Sequence, residues 1–413
     1  MDEGIMKSRT NTDAFRWLVL AGAVIVALCS GLLYMWSVYV KPMCAEYGWS
    51  TDQVALMGNV MVATLCLGGF IGGQMLPRMG AKACAVVGGL LFGGFMFVSS
   101  FVSSPVVMYI TYGILSGTGA GILYNSMMFT VGLWFPDRRG LAIGIYLGAF
   151  GLATTLWSKP ISSLLASIGV QNTIQWTGLG FSATIVLIGL FIMKNPPEGW
   201  LPKDYTPPQE KASANVKSVS VRDGLKTTTF WLITVAQVLL VITYNFINPY
   251  AAVYMTDIKM LSAEFAVSVV AAMGIGSLTG RLAGGYLADK LGNKIAYLIA
   301  CLSSIIACVV LVVAGSPTAV AVSFFLIAFG YGGRTPIYGT LAVDSFGART
   351  SSSFAGFTNL FTIITSLLSG VMTASIKQAT GSYNGAFYVA IAAAVIGCTC
   401  IMLLPKEKPV DKI

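Results

Sequence analysis

Apolar residues run through this chain in twelve blocks, each closed by a short polar break. The blocks fall at about 17–40, 52–76, 83–104, 106–134, 141–166, 173–193, 229–255, 263–287, 294–314, 318–342, 352–376 and 385–404. At a rise of about 1.5 Å per residue, each predicts a helix able to cross about 30 Å of hydrocarbon. One long polar stretch, KNPPEGWLPKDYTPPQEKASANVKSVSVRDGLK, divides the blocks six and six. Its Pro, Lys and Ser content reads as a linker with a short surface helix. The pattern predicts an all-α membrane protein of twelve transmembrane helices. Residues 1–194 would form an N-terminal six-helix half, 195–228 a cytoplasmic linker, and 229–413 a C-terminal six-helix half.

Composition agrees. The chain is 56% hydrophobic and 10% charged, where soluble domains carry about 25% charged residues. The net charge of +9 is scattered between apolar blocks rather than gathered into a patch, which argues against nucleic acid as a partner. All but six of the 25 Lys and Arg lie at the termini, in the linker, or in the loops after spans 2, 4, 8 and 10. Lys41, Lys159, Lys259 and Lys377 fall on or near the opposite side, and Arg281 and Arg334 lie inside spans. The excess of positive charge on one side predicts a multi-pass protein of the cell (inner) membrane with both termini cytoplasmic. The first polar residues lead into a run too long for a signal-peptide core, so no cleavable signal is expected.

The chain has 8 Cys and 0 His, with no CxxC pair. Metal and disulfide frameworks are therefore not expected, and the cysteines read as small buried apolar residues. No cofactor is implied. Neither GxSxG, HExxH, a Walker loop nor a dinucleotide fingerprint occurs, so catalysis finds no support. GTGAGILYN in span 4 reads as small-residue helix packing rather than a phosphate loop.

The halves resemble each other. GGQMLPRMGAK (72–82) follows span 2 and GGYLADKLGNK (284–294) follows span 8, 212 residues later. Both fit GGxxxxxxGxK. The same offset carries Arg139 only to within two residues of Arg349. Duplications of this kind mark transporters with a site between two halves.

ADKLGNK resembles the loop signature of the major facilitator superfamily. Asp289 and Lys290 are expected to cap and pair with neighbouring helix ends; PRMGAK lacks the aspartate. Within that superfamily, SGLLYMWSVYVKPM, LWFPDRRGLAIGIYLGAFG (with Asp137, Arg138 and Arg139), NPPEGW, YGG with DSFG, and GSYNGAF resemble the monocarboxylate transporter and oxalate:formate antiporter group. These motifs span nearly the whole chain. The resemblance implies the major facilitator fold and transport of small organic anions.

Arg281 is the candidate anchor. A guanidinium mid-span costs from about 2.5 to over 10 kcal/mol unless it meets a cavity or counter-ion. All 16 Asp and Glu lie in tails, loops or span ends. Asp289 is about 12 Å away along the helix, beyond contact. The missing anion is then the substrate, whose carboxylate suits a guanidinium fork. The repeat mate of Arg281 is Gly69, an asymmetry that suggests a site rather than scaffold. In the resembled group an arginine eight residues before the loop aspartate binds the substrate carboxylate, and Arg281 has that spacing to Asp289.

Arg334, in YGGRTPIY, is the second buried arginine. It reads as a gate, a contact to helix carbonyls, or a second anion contact. Lys159, in WSKP, reads as an interfacial snorkel. Tyr34, Tyr124 and Tyr331 stand where the resembled carriers place cage aromatics, against the plainer reading of packing aromatics. Asn125, Asn245 and Asn359 are amides inside spans, either substrate contacts or helix glue. Thr362 stands where span 11 of the oxalate carrier has a lysine, which implies a site for one carboxylate rather than a dianion.

Residues and resemblance together predict a carrier of small monocarboxylates, lactate- or pyruvate-like, working by alternating access. Arg281 would anchor the anion, with Tyr34, Tyr124, Tyr331, Asn359, Thr362, Asn125 and Asn245 around it. The alternative is an oxalate/formate-type anion exchanger. A cation or drug carrier would need a buried acid, and a sensor would be expected to add an output domain. The partners expected are the organic anion, protons as a second cargo, and the bilayer, with the chain acting as a monomer. With Ser277 four residues before Arg281, and no carboxylate or His mid-span, a coupled proton would ride on the substrate carboxylate or its Arg281 complex.

Overall fold

The computed structural model describes residues 2–32, 36–197, 199–202, 205, 218–245, 247, 251, 254–255, 259–313, 316–380 and 384–405. Among them the regular structure is helical, and the helices follow the twelve expected spans. Span 1 comprises α1 (Asp2–Ser30) and α2 (Trp36–Tyr47). α3 (Thr51–Gly89) holds span 2 and the start of span 3, which continues through a π segment and α4 (Phe95–Ser99). Span 4 is α5 (Pro105–Met108), a second π segment and α6 (Gly117–Trp134). α7 (Arg139–Phe191) holds spans 5 and 6. α8 (Val221–Gly224) is the short helix expected in the linker. Spans 7 to 12 are α9 (Thr228–Asn245), α10 (Ala263–Leu291), α11 (Asn293–Val313), α12 (Pro317–Phe346), α13 (Ser351–Thr380) and α14 (Asn384–Met402). The N-terminal tail, read as a polar lead, is helical from Asp2.

Eight segments among the described residues are long and apolar enough to cross a membrane by length and composition. Large apolar side chains also point outward along the bundle, among them Trp176, Leu187, Phe191, Ile306, Val309 and Val313. A soluble monomer would not expose such a belt.

Glycine sets two turns and forces distant caps. Gly80 and Gly169 take φ of 77° and 78°, the left-handed conformation that glycine adopts without strain. They turn span 2 into span 3 and span 5 into span 6. A glycine has no side chain to cap the next helix, so the acceptors come from elsewhere. Asn195 Oδ1 accepts from Ala81 N at 3.0 Å, and the Glu46 carboxylate accepts from Val170 N at 2.7 Å and Gln171 N at 3.3 Å. Glycine also lets helices touch. Spans 2 and 4 meet through Gly68 and Gly121, where a Cβ on Gly121 would collide with the Leu65 carbonyl.

The 212-residue repeat is visible as paired contacts between the halves. Gly140 of span 5 lies against the Gly285 carbonyl of span 8; their mates, Ser352 and Gly73, meet in spans 11 and 2. Gly144 lies against the Arg281 carbonyl and Leu282; its mate Gly356 lies against Phe70 and the Gly69 carbonyl. Two seams, 5 against 8 and 11 against 2, thus hold the halves together by one pseudo-two-fold rule.

Gly121→Val is expected to destabilise the protein by about 3 kcal/mol or more. Gly180→Ala, with nothing within 4 Å of the added carbon, should be neutral or stabilising. Thermal unfolding of the two purified variants in one detergent checks the contrast.

Candidate functional site

Arg281 is 3% exposed, in the lower middle of span 8, and it reaches across the seam. Its Nη1 donates to the Leu147 carbonyl of span 5 at 2.6 Å. Span 5 allows this approach because its next turn carries Gly151, where a Cβ would stand 2.8 Å from Nη1. Nε is buried and has no hydrogen-bond partner. Among the described residues, Nη2 makes no hydrogen bond and no carboxylate pairs with the guanidinium. Nη1 lies on the Cδ side of the guanidinium, so the free groups, Nε and Nη2, are one edge: the pair of parallel donors that grips a carboxylate side-on.

Three tyrosines face that charge. Tyr124 of span 4, Tyr244 of span 7 and Tyr331 of span 10 are each within electrostatic range of Arg281. Tyr331 stacks on Tyr244 with ring centroids 4.0 Å apart, and Tyr124 meets Phe150 edge-on at 5.1 Å. All three are half-buried, and their hydroxyls take no protein partner among the described residues. Tyr244 escaped the sequence reading, although it stands beside Asn245 in ITYNF. The sequence shows only its mid-span position, not the ring that it stacks on. Ser277 lies one turn before Arg281 on the same face, near Gly151.

In the other seam, Asn359 of span 11 sets its amide against Gly69, at the mirror of the Arg281–Leu147 contact. It is half-buried, and its amide has no protein hydrogen bond among the described residues. Thr362 is buried and donates its hydroxyl to the Asn359 carbonyl at 2.7 Å. That donor is spent on the helix itself. Asn125 lies deeper, at the seam of spans 2, 4 and 11. Its Nδ2 donates to the carbonyls of Gly69 and Ser352, and its Oδ1 is buried without a partner.

Arg334 is turned away from Arg281. It is 1% exposed and lies inside the C-terminal half. Nε donates to Gly330 O at 3.0 Å, Nη2 to Ser304 Oγ at 3.3 Å, and Nη1 faces Cys301 Sγ at 3.8 Å. Of its sequence readings, the contact to a helix carbonyl describes the geometry. Tyr34 lies outside the described residues, as do the side chains of Asn245 and Lys159.

The loop motif ties the halves together at the basic-loop end. Asp289 accepts from Gly140 N at 3.1 Å and Leu141 N at 3.0 Å, capping the first turn of span 5 from the opposite half. Arg139 donates to Gly132 O and lies 3.4 Å from Asp344, also of the opposite half. Asp344 further accepts from Asn293 at 3.1 Å. Asp137 pairs with Arg16 at 2.9 Å and Arg138 at 3.6 Å, while Lys290 is exposed in the last turn of span 8. Burial beside this cluster raises the pKa of the linker phenol Tyr205. In the other seam, where the aspartate's mate is Pro77, Ser352 and Ser353 donate to Gly73 O at 3.2 and 3.1 Å instead.

The profile described as Major Facilitator Superfamily matches residues 19–362. The chain is a member of the Major Facilitator Superfamily. Monocarboxylate transporter 13 of Bos taurus is 23% identical to it, over 94% of this chain and 89% of that one. The oxalate:formate antiporter of Oxalobacter formigenes is 25% identical, over 96% and 94%. The crystal structure of the Escherichia coli fucose:proton symporter superposes with a TM-score of 0.74 at 12% identity, covering 95% of this chain and 100% of that chain. The protein is thus a multi-pass membrane transporter of this superfamily.

Asp289→Ala removes the cap that ties span 5 to span 8. A lost cap costs about 1 kcal/mol, so the population open at this end should rise about fivefold. Spin labels at the exposed repeat mates Met79 and Leu291 would report it as a longer distance component.

Proposed function

We propose that this transporter carries small monocarboxylate anions, lactate- or pyruvate-like, across the cell membrane by alternating access. The observation that carries the reading is the free edge of Arg281. A buried guanidinium with one edge on a backbone carbonyl and the other unmatched is short of one carboxylate. The three tyrosine hydroxyls add donors and apolar ring faces around a short tail, which suits a hydroxy or keto acid. Similarity to a transporter named for monocarboxylates, over most of both chains, supports the same class.

A dianion exchanger would need a second cation at the cavity. Arg334 is committed to Gly330, Ser304 and Cys301, and Thr362 brings a hydroxyl already spent on the Asn359 carbonyl. One positive charge thus faces the substrate among the described residues.

The cycle follows from Arg281 belonging to one half and Leu147 to the other. The seams, the Asp289 cap and the Arg139–Asp344 pair hold the basic-loop end shut, so substrate enters from the opposite side. By the positive-inside rule the closed end would face the cytoplasm. A bound anion neutralises Arg281, letting the outer ends close without burying a naked charge. No Asp, Glu or His lies mid-span to carry a proton separately. Any coupled proton therefore travels on the substrate carboxylate or in its Arg281 complex.

Uptake of labelled L-lactate into proteoliposomes tests the reading, with pyruvate, acetate, formate and oxalate as competitors. Monocarboxylates should compete strongly and oxalate only weakly. Arg281→Gln should lower uptake efficiency at least about 30-fold, the loss of about 2 kcal/mol from a charge-assisted pair. Strong competition by oxalate would overturn the single-charge site. With an inward proton gradient imposed, uptake should accelerate; a flat response removes the proton-coupled version and leaves exchange or facilitated diffusion.

A further inference from the structure

We propose that Gly69 and Asn359 form the charge-selecting side of the substrate site, the pseudo-symmetric counterpart of Arg281 and Leu147. The inference rests on the carboxylate reading above and extends it to what decides how many charges the cargo carries.

The argument is one of position. The offset that relates the two seams carries residue 69 onto Arg281, and carries Leu147 onto Asn359. The contacts obey it. Arg281 reaches from span 8 to residue 147 of span 5, while span 2 at Gly69 meets residue 359 of span 11. One seam therefore presents a guanidinium resting on a backbone carbonyl. The other presents a bare backbone with an amide resting on it. A Cβ on Gly69 would collide with the Asn359 Nδ2. Glycine at 69 is thus what admits the amide to the place a second cationic side chain would occupy by symmetry.

The amide is also available. Asn359 is half-buried between the halves, and its side chain makes no hydrogen bond to protein among the described residues. An amide left without partners in such a place is a site for a ligand's polar group. It offers two donors and an acceptor but no charge. The cavity then reads a substrate with one carboxylate on Arg281 and an uncharged hydroxyl, keto or small apolar end toward Asn359. A second carboxylate would meet a neutral dipole instead of a cation. Thr362, one turn further along span 11, is not this position, because its hydroxyl is bonded back to the Asn359 carbonyl.

The test compares inhibition of labelled lactate uptake by a short dicarboxylate (oxalate or malonate) and by a monocarboxylate (pyruvate). It uses wild type, Asn359→Lys and Asn359→Asp in proteoliposomes. Asn359→Lys should shift the ratio of the two inhibition constants at least about tenfold toward the dicarboxylate. The isosteric Asn359→Asp should weaken both inhibitors, and the dicarboxylate more, because it carries two charges into the same field. Thermal stabilisation of the purified variants by the same anions gives a binding readout that does not depend on turnover. If either folded variant keeps the wild-type ratio, the assignment of Asn359 as charge selector is overturned. If Asn359→Lys does not fold, Asn359→Asp decides alone. If the wild type binds dicarboxylate and monocarboxylate equally, the assignment also fails, while the carboxylate reading survives. A wild type that takes up and binds no carboxylate overturns that reading and the assignment together.

Discussion

A buried, permanently charged guanidinium that bridges two halves of a molecule is the constraint around which this protein is built. Arg281 cannot discharge itself by losing a proton, and the described spans bring no carboxylate to it. Among the described residues, the guanidinium's one hydrogen bond goes to a backbone carbonyl of the opposite half. That bond stabilises one edge of the cation and leaves the other unmatched. On the proposed reading an anion completes the site, and the group that would bind it also ties the halves together, so that binding and conformational change would share one residue.

The rest of the architecture makes that arrangement tolerable. Small residues along both seams bring backbones close enough for a side chain to reach a carbonyl across the interface: Gly140, Gly144 and Gly151 on span 5, and Gly69 and Gly73 on span 2. Helix ends without a cap of their own are closed by side chains from elsewhere, Asn195 and Glu46 within one half and Asp289 between the halves. The two seams obey one symmetry but are not equally polar. One carries a guanidinium and a capping carboxylate; the other carries an amide and serine hydroxyls. In the proposed cycle the repeated scaffold would supply the two-sided motion, and the departures from the repeat would supply the chemistry.

Most of this organisation was legible in the chain. Twelve apolar blocks, a central polar linker and a repeated GGxxxxxxGxK loop carry the fold, because hydrocarbon thickness and the need to satisfy every backbone group leave few other solutions. Arg281 stood out for the same reason: a charge where the bilayer penalises it, with no partner in the sequence. The motif aspartate was legible too, and Asp289 caps a helix as expected. Arg334 is the second arginine inside a span, and its contacts to Gly330, Ser304 and Cys301 lie within its own half. Tyr244 went unnoticed because an aromatic in an apolar run carries no local signal of what it faces.

What the sequence carried alone was therefore the class of structure, an expected orientation, and two arginines inside spans with no mid-span acid to pair them. These follow from local composition and periodicity. The tertiary structure decided which edge of Arg281 is free, which tyrosines surround it, and that residue 359 stands opposite residue 69 as residue 147 stands opposite 281. Those depend on how helices distant in sequence cross, and on the direction of each side chain within a helix. Neither is encoded by the spacing of residues along one strand of chain.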